Sequence, residues 1–301
     1  MAVYKRNYKR YEGALTGERW RFSILPRYAI ATVFESKIFT SFFTLTLIPP
    51  LIAAGLIYVK QNIEALQSLN LQPLEFLAVD ADFFLTLFTV QTVLSFFIVT
   101  YIGPGLVAPD LANNALPLYL SRPFTRAEYV MGKLAVLVAL TSLVTWIPGL
   151  LVVGVQVNAA GFSWLLENLR LPVGILVGSW IWILTISLVA LAISAWVKLR
   201  PIATATLFGI FFVAGGFGEA ANQMLRLYPG WGSLLNLRTT MQRLWIWLFQ
   251  PPEIYNELVE GGFRQLAGLP VWSNFLALAV LSGLALLLLA KKIRATEVVR
   301  G

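Results

Sequence analysis

Neither histidine nor cysteine occurs among the 301 residues, so chemistry here rests on carboxylates, amines, guanidiniums, hydroxyls and amides. That removes disulfides, thiol nucleophiles, imidazole acid–base catalysis and any metal site built on His or Cys ligands. Only carboxylates are left to hold a metal, and the 15 present lie mostly between apolar runs. No carboxylate pair and no nucleophile–base set falls inside one of those runs, which argues against an enzyme working there.

The densest group of polar and charged side chains runs from Ala108 to Lys133. Asp110 is placed to cap a short helix, its carboxylate accepting from free backbone N–H groups. Thr125 and Glu128 have the Thr-x-x-Glu spacing of a capping box, which predicts a helix starting near Arg126. Pro123 holds the entering chain extended. The Lys133 stem can lie along apolar helix while its ammonium reaches the headgroup level. Two readings follow: an exposed knob that docks on a partner, or a well-capped loop that only anchors topology.

The elements that must position this segment are long and apolar. The chain is 58% hydrophobic and 13% charged with a mean hydropathy of +0.73, against about 25% charged residues in soluble domains. Spans are predicted at about 38–59, 83–107, 130–155, 173–197, 202–218 and 271–290, each near the roughly 20 residues that a bilayer requires. The fold class expected is all-α: a polytopic membrane protein of six transmembrane helices. Residues 1–37 form a basic tail and an amphipathic entry helix, and 38–301 form the membrane domain. The first 37 residues lack the apolar stretch of a cleavable signal, so span one is expected to direct insertion.

Orientation follows from the basic residues. With the N-terminus inside, 17 of the 23 Lys and Arg fall in cytoplasmic segments and 6 in outer ones. This obeys the positive-inside rule and puts both termini in the cytoplasm. The net charge of +8 comes from short clusters rather than one basic face, so no nucleic-acid partner is expected.

Three further segments carry open alternatives. Between Ser23 and Ile38, the apolar Ile30, Val33, Phe34 and Ile38 fall at helical spacing, with Arg27, Thr32, Glu35 and Ser36 on other faces. That describes either a helix lying along the inner membrane surface or an extension of span one. The long segment 219–270 holds Trp231, Trp245, Trp247, Phe249 and Tyr255. It reads as short helices on or in the outer leaflet, or as a loop whose aromatics pack on the bundle. Thr89, Gln91, Thr92 and Ser95 of span two, with Thr204 and Thr206 of span five, either line a substrate path or serve helix packing. Pro49-Pro50 and Pro148 should kink spans one and three. The four-residue connector Lys198-Leu199-Arg200-Pro201 makes spans four and five antiparallel neighbours.

The run Leu118-Tyr119-Leu120-Ser121-Arg122-Pro123-Phe124-Thr125-Arg126, continuing Glu128-Tyr129-Val130-Met131-Gly132-Lys133, resembles the first cytoplasmic loop of permeases of type-2 ABC exporters. The six spans, the entry helix and the large outer loop before the last span are similar to that family in architecture rather than in motif. The resemblance implies a transport subunit of the cytoplasmic (inner) membrane of a prokaryote. It places Asp110, Arg122, Pro123, Arg126, Glu128, Gly132 and Lys133 in a coupling element that docks on an ATP-binding cassette subunit. Arg27 and Glu35 of the entry helix would join that contact. It also implies a second permease, a copy or a paralogue, across the pathway, with membrane lipids around both. ATP and Mg would belong to the ATPase partner: Gly132-Lys133 is followed by Leu134, and the upstream glycine of a P-loop is missing. The alternatives are a membrane-embedded assembly or scaffolding protein and an ion-coupled secondary carrier. A carrier usually needs ionisable groups or unwound helices near the midplane, and the six apolar cores hold no charge. An apolar path with scattered hydroxyls suits lipids, peptides and amphiphiles alike.

Overall fold

A computed structural model describes residues 23–61, 78–116, 119, 125–227, 230–251 and 269–298; among them there are helices and turns and no strand. Six helical spans are long and apolar enough to cross a membrane: Lys37–Gln61, Ala81–Ala112, Arg126–Ala160, Arg170–Trp196, Arg200–Met224 and Val271–Arg294. They cover the six predicted runs. The fifth is 25 residues long, where the sequence suggested an end at Gly218. Helix continues because Gly215 and Gly218 sit against Asn236 and Gly232 of the outer segment, at a closeness that leaves no room for a β-carbon.

Span four is the axis. Two-thirds (67%) of its apolar stretch is buried inside the chain, against 22% for spans one and five. Spans two, three and six and the outer helix Leu237–Phe249 all pack on it. Span five packs beside it across the short connector, as expected of antiparallel neighbours.

Three spans are broken where the sequence removes backbone donors. Span one turns at Thr46 and Leu47 ahead of Pro49-Pro50, and span three turns at 143–145 ahead of Pro148. In both, a proline ring excludes the carbonyl four residues back. Threonines at these breaks return hydroxyls to the main chain, Thr46 to Phe43 O at 2.6 Å and Thr145 to Thr141 O at 2.9 Å. Span two bends at Gly103 before Pro104. Ser194 of span four holds that bend: its hydroxyl donates to Pro104 O at 2.9 Å and accepts from Val107 N and Ala108 N, each at 3.1 Å. Span five loosens into a π-turn at Gly209–Val213.

The entry helix Ile24–Phe34 is separate from span one. The chain turns at Glu35, and Ser36 caps the next helix by accepting from Phe39 N at 3.4 Å. Ile30, Val33 and Phe34 share one face, as their spacing predicts, and that face packs against the core of the chain. Ile38 does not: it is 77% exposed, because the turn restarts the helical phase.

In the outer segment, a 3-10 turn at Trp231–Leu235 leads into the helix Leu237–Phe249. Trp245 and Phe249 pack into the bundle, with Phe88 centred 5.1 Å and 5.5 Å from their rings. Trp231 and Trp247 are exposed, and Tyr255 lies outside the described residues. Arg170 ties the helix end down by donating to Leu248 O, Trp247 O and the Gln250 amide oxygen. A guanidinium there also complements the negative end of the helix dipole.

Candidate functional site

The capping box before span three is complete. Thr125 Oγ1 accepts from Glu128 N at 3.2 Å, and Glu128 Oε2 accepts from Thr125 N at 2.6 Å. Span three therefore begins at Arg126, two turns before its apolar core. Those two turns carry Tyr129 and Lys133 at a spacing of four, on one face of the helix.

Asp110 is not a helix N-cap. The helix it belongs to starts earlier, at Pro104, and ends at Ala112, so Asp110 stands in its last turn. A carboxylate is unfavourable at that end of a helix dipole, and it turns sideways to span three. Asp110 Oδ2 lies 2.7 Å from Lys133 Nζ and accepts a hydrogen bond from Tyr129 Oη at 2.7 Å. The ammonium also sits 5.5 Å from the Tyr129 ring centre. Lys133 accordingly points into the protein rather than out to headgroups, with its side chain 11% exposed. Gly132 is buried beside it.

Tyr119 completes the group, its ring 5.7 Å from that of Tyr129. Burial, and then the charge of Asp110, push the Tyr119 hydroxyl pKa above its usual value. Tyr119 and Tyr129 were not singled out as partners of the charges. The signal available was the four-residue spacing of Tyr129 and Lys133.

The entry helix packs along the beginning of span three. Its apolar face thus meets protein, with Pro26 buried, and Arg27, Glu35 and Arg126 are exposed. Arg122 and Pro123 lie outside the described residues.

The hydroxyls and amides proposed to line a path fare differently. Gln91, Thr92 and Ser95 are buried within this one chain. Thr89, Thr92 and Ser95 each return a hydroxyl to their own helix, to Leu85 O, Thr89 O and Thr92 O. Ser95 also accepts from Trp182 Nε1 at 2.8 Å, which locks span two to span four. Thr206 is exposed and bonded to Ile202 O at 2.8 Å. These bonds satisfy the hydroxyls within the chain itself. Gln91 is the exception: it is fully buried, and its carboxamide meets no hydrogen-bond partner among the described residues. Thr204 lines a wide cleft on the flank of the bundle, and Thr89 and Thr92 border a cavity of about 40 Å³ under Trp182 and Trp245.

Compared with known proteins, the chain matches no family model, and no curated protein matches it in sequence.

Proposed function

We propose that the chain is the transmembrane permease subunit of an ABC exporter, coupled to a separate ATP-hydrolysing subunit. The observation that carries this is the packing of the entry helix against the start of span three. The entry helix, with its exposed Arg27, and the start of span three, with its exposed Arg126, pack against each other. A docking element needs that combination of a rigid base and an exposed basic rim. The complete capping box and the Asp110–Lys133 pair supply the rigidity. On this reading the surface faces the cytoplasm, both termini lie there, and the membrane is the inner membrane of a prokaryote. A second permease, identical or paralogous, faces the pathway, and ATP and Mg reside in the partner.

An ion-coupled carrier finds less support. The charged side chains of the six spans all stand within about two turns of a helix end. Lys133, the buried one, is neutralised by the part-buried Asp110.

The double change Arg122→Ala, Arg126→Ala tests the proposal. It leaves 15 inner against 6 outer basic residues, a bias that still directs insertion. Truncating charged contacts at a partly buried interface costs about 2–5 kcal/mol. The variant should insert normally yet fail to retain the ATPase subunit when captured from native membrane. The purified chain alone should not hydrolyse ATP. Hydrolysis by the isolated chain, or full assembly and transport by the double variant, would overturn the reading.

A further inference from the structure

A wide cleft lies on the flank of the bundle, between spans two and five, with a volume of about 1060 Å³. That is the upper end of what small-molecule sites enclose. Phe97 and Tyr101 form its floor, and Phe208 and Phe212 its wall. The apolar surface is open, with Phe97 39% and Phe212 51% exposed. Thr100, on the same floor, has turned its hydroxyl to Phe96 O at 2.8 Å.

The polar character is concentrated at one end, in Arg200. Its guanidinium stands 5.0 Å from the Tyr101 ring centre and donates to Tyr101 O at 2.6 Å, which fixes it at the mouth. A guanidinium has five N–H donors in a planar fork suited to phosphate, and the Tyr101 carbonyl takes one. Among the described residues, no carboxylate lines the cleft. The result is an apolar trough with a fixed positive pole.

Its length selects the occupant. From Arg200 to Val213, both on the lining, a helical rise of 1.5 Å per residue gives about 20 Å. One leaflet contributes about 15 Å of hydrocarbon, half of the bilayer core. An anionic head joined to an apolar body one leaflet long fills such a site. We propose that the cleft binds an anionic phospholipid of the surrounding membrane, with its phosphate at Arg200 and an acyl chain along Phe97, Phe208 and Phe212. A second copy of the chain packed here by two-fold symmetry would bring the same residues to itself. It would set the guanidinium toward a lining that holds no carboxylate among the described residues. Lipid occupancy does not depend on what the bundle transports.

Native mass spectrometry of the purified protein, offered phosphatidylglycerol or phosphatidylcholine with the same acyl chains, tests the proposal. Both headgroups carry a phosphate, but the choline ammonium offsets its charge at Arg200, so phosphatidylglycerol should be retained about tenfold more, a difference of about 1.4 kcal/mol. Arg200→Gln should erase that preference. Lys198→Gln, which removes the same charge from the same connector but lies off the cleft, should keep it. Equal retention of both lipids by the parent, or an undiminished preference in Arg200→Gln, would refute the site. Should Arg200→Gln fail to fold, the absence of cysteine gives a second route through Phe212→Cys carrying a fluorophore. Phosphatidylglycerol brominated on its chains should quench it more than brominated phosphatidylcholine at equal mole fraction, and equal quenching would overturn the proposal. Efficient Phe212→Cys disulfide linkage between two chains, with no lipid retained, would assign the cleft to a second copy instead.

Discussion

Replacing Lys133 by methionine separates two things that its pair with Asp110 does: it neutralises a buried carboxylate, and it ties span two to span three. The charged atoms are 2.7 Å apart, which corresponds to an attraction of about 6 kcal/mol at an effective dielectric of about 20. Most of that offsets the loss of hydration, since the two side chains are 11% and 16% exposed. The pair as a whole is therefore worth little against an apolar pair of the same size. Removing one member is different, because the other stays buried without a counter-ion, at a cost of about 3–5 kcal/mol. Lys133→Met and Asp110→Leu should each lower stability by that amount. The double variant should come within about 1 kcal/mol of the parent or exceed it. Tyr129→Phe removes one hydrogen bond to a charged acceptor, worth about 1.5–3 kcal/mol. Unfolding of the purified protein in mixed micelles with rising dodecyl sulfate, followed by tryptophan fluorescence, measures all four. Losses that simply add in the double variant would show that the two charges do not act as a unit. A stable double variant that no longer couples to its ATPase would assign the pair a role beyond stability.

Topology is checked with single cysteines on the cysteine-free background: Asn158→Cys should react with an impermeant reagent outside intact cells, and Leu199→Cys should not. The reverse pattern would invert the orientation. Ser194→Ala leaves the Val107 and Ala108 amides and the Pro104 carbonyl of the span-two bend without their shared partner. It should cost about 1–3 kcal/mol in the same unfolding assay, and a cost near zero would mean that the bend holds without it. Gly232→Ala puts a methyl group onto the Gly218 carbonyl and the Asn222 side chain. Overpacking of this kind costs about 1–3 kcal/mol, whereas Gly154→Ala, where the space is open, should be neutral.

Length and composition made the spans legible, because a bilayer asks only for an uninterrupted apolar run of about 20 residues. The capping box was legible for a similar reason: Thr125 and Glu128 need nothing beyond their own turn. Pro49-Pro50 and Pro148 marked their breaks because a ring excludes a carbonyl whatever surrounds it. Asp110 was misread because its role is tertiary. Sequence locates it in a polar stretch and cannot say that the helix had begun six residues earlier, at the Gly103 bend. The end of span five was misread through Gly215, Gly216 and Gly218, whose usual meaning as a stop was overridden by close packing on the outer segment. Aromatic residues at 231–249 carried both an interfacial and a core meaning, and only the partners Phe88 and Trp182 decide that Trp245 belongs to the core.

The same distinction explains why the two ends of span three behave differently. Its start is held by contacts that are local or within two turns: the cap, Tyr129 stacked under Lys133, and the carboxylate delivered by the end of span two. Its middle is broken by Pro148 and joined to span two where Gly149 approaches Gln91. A force applied at the entry helix or at Arg126 would therefore reach Asp110 and the end of span two first. It would pass along span two to the Gly103–Pro104 bend, where Ser194 connects it to the central helix. The links are of two kinds: apolar packing of the entry helix on span three, and polar contacts at Asp110 and Ser194. On the proposed reading, a coupling element at that end would act on span two through Asp110 and on span four through Ser194.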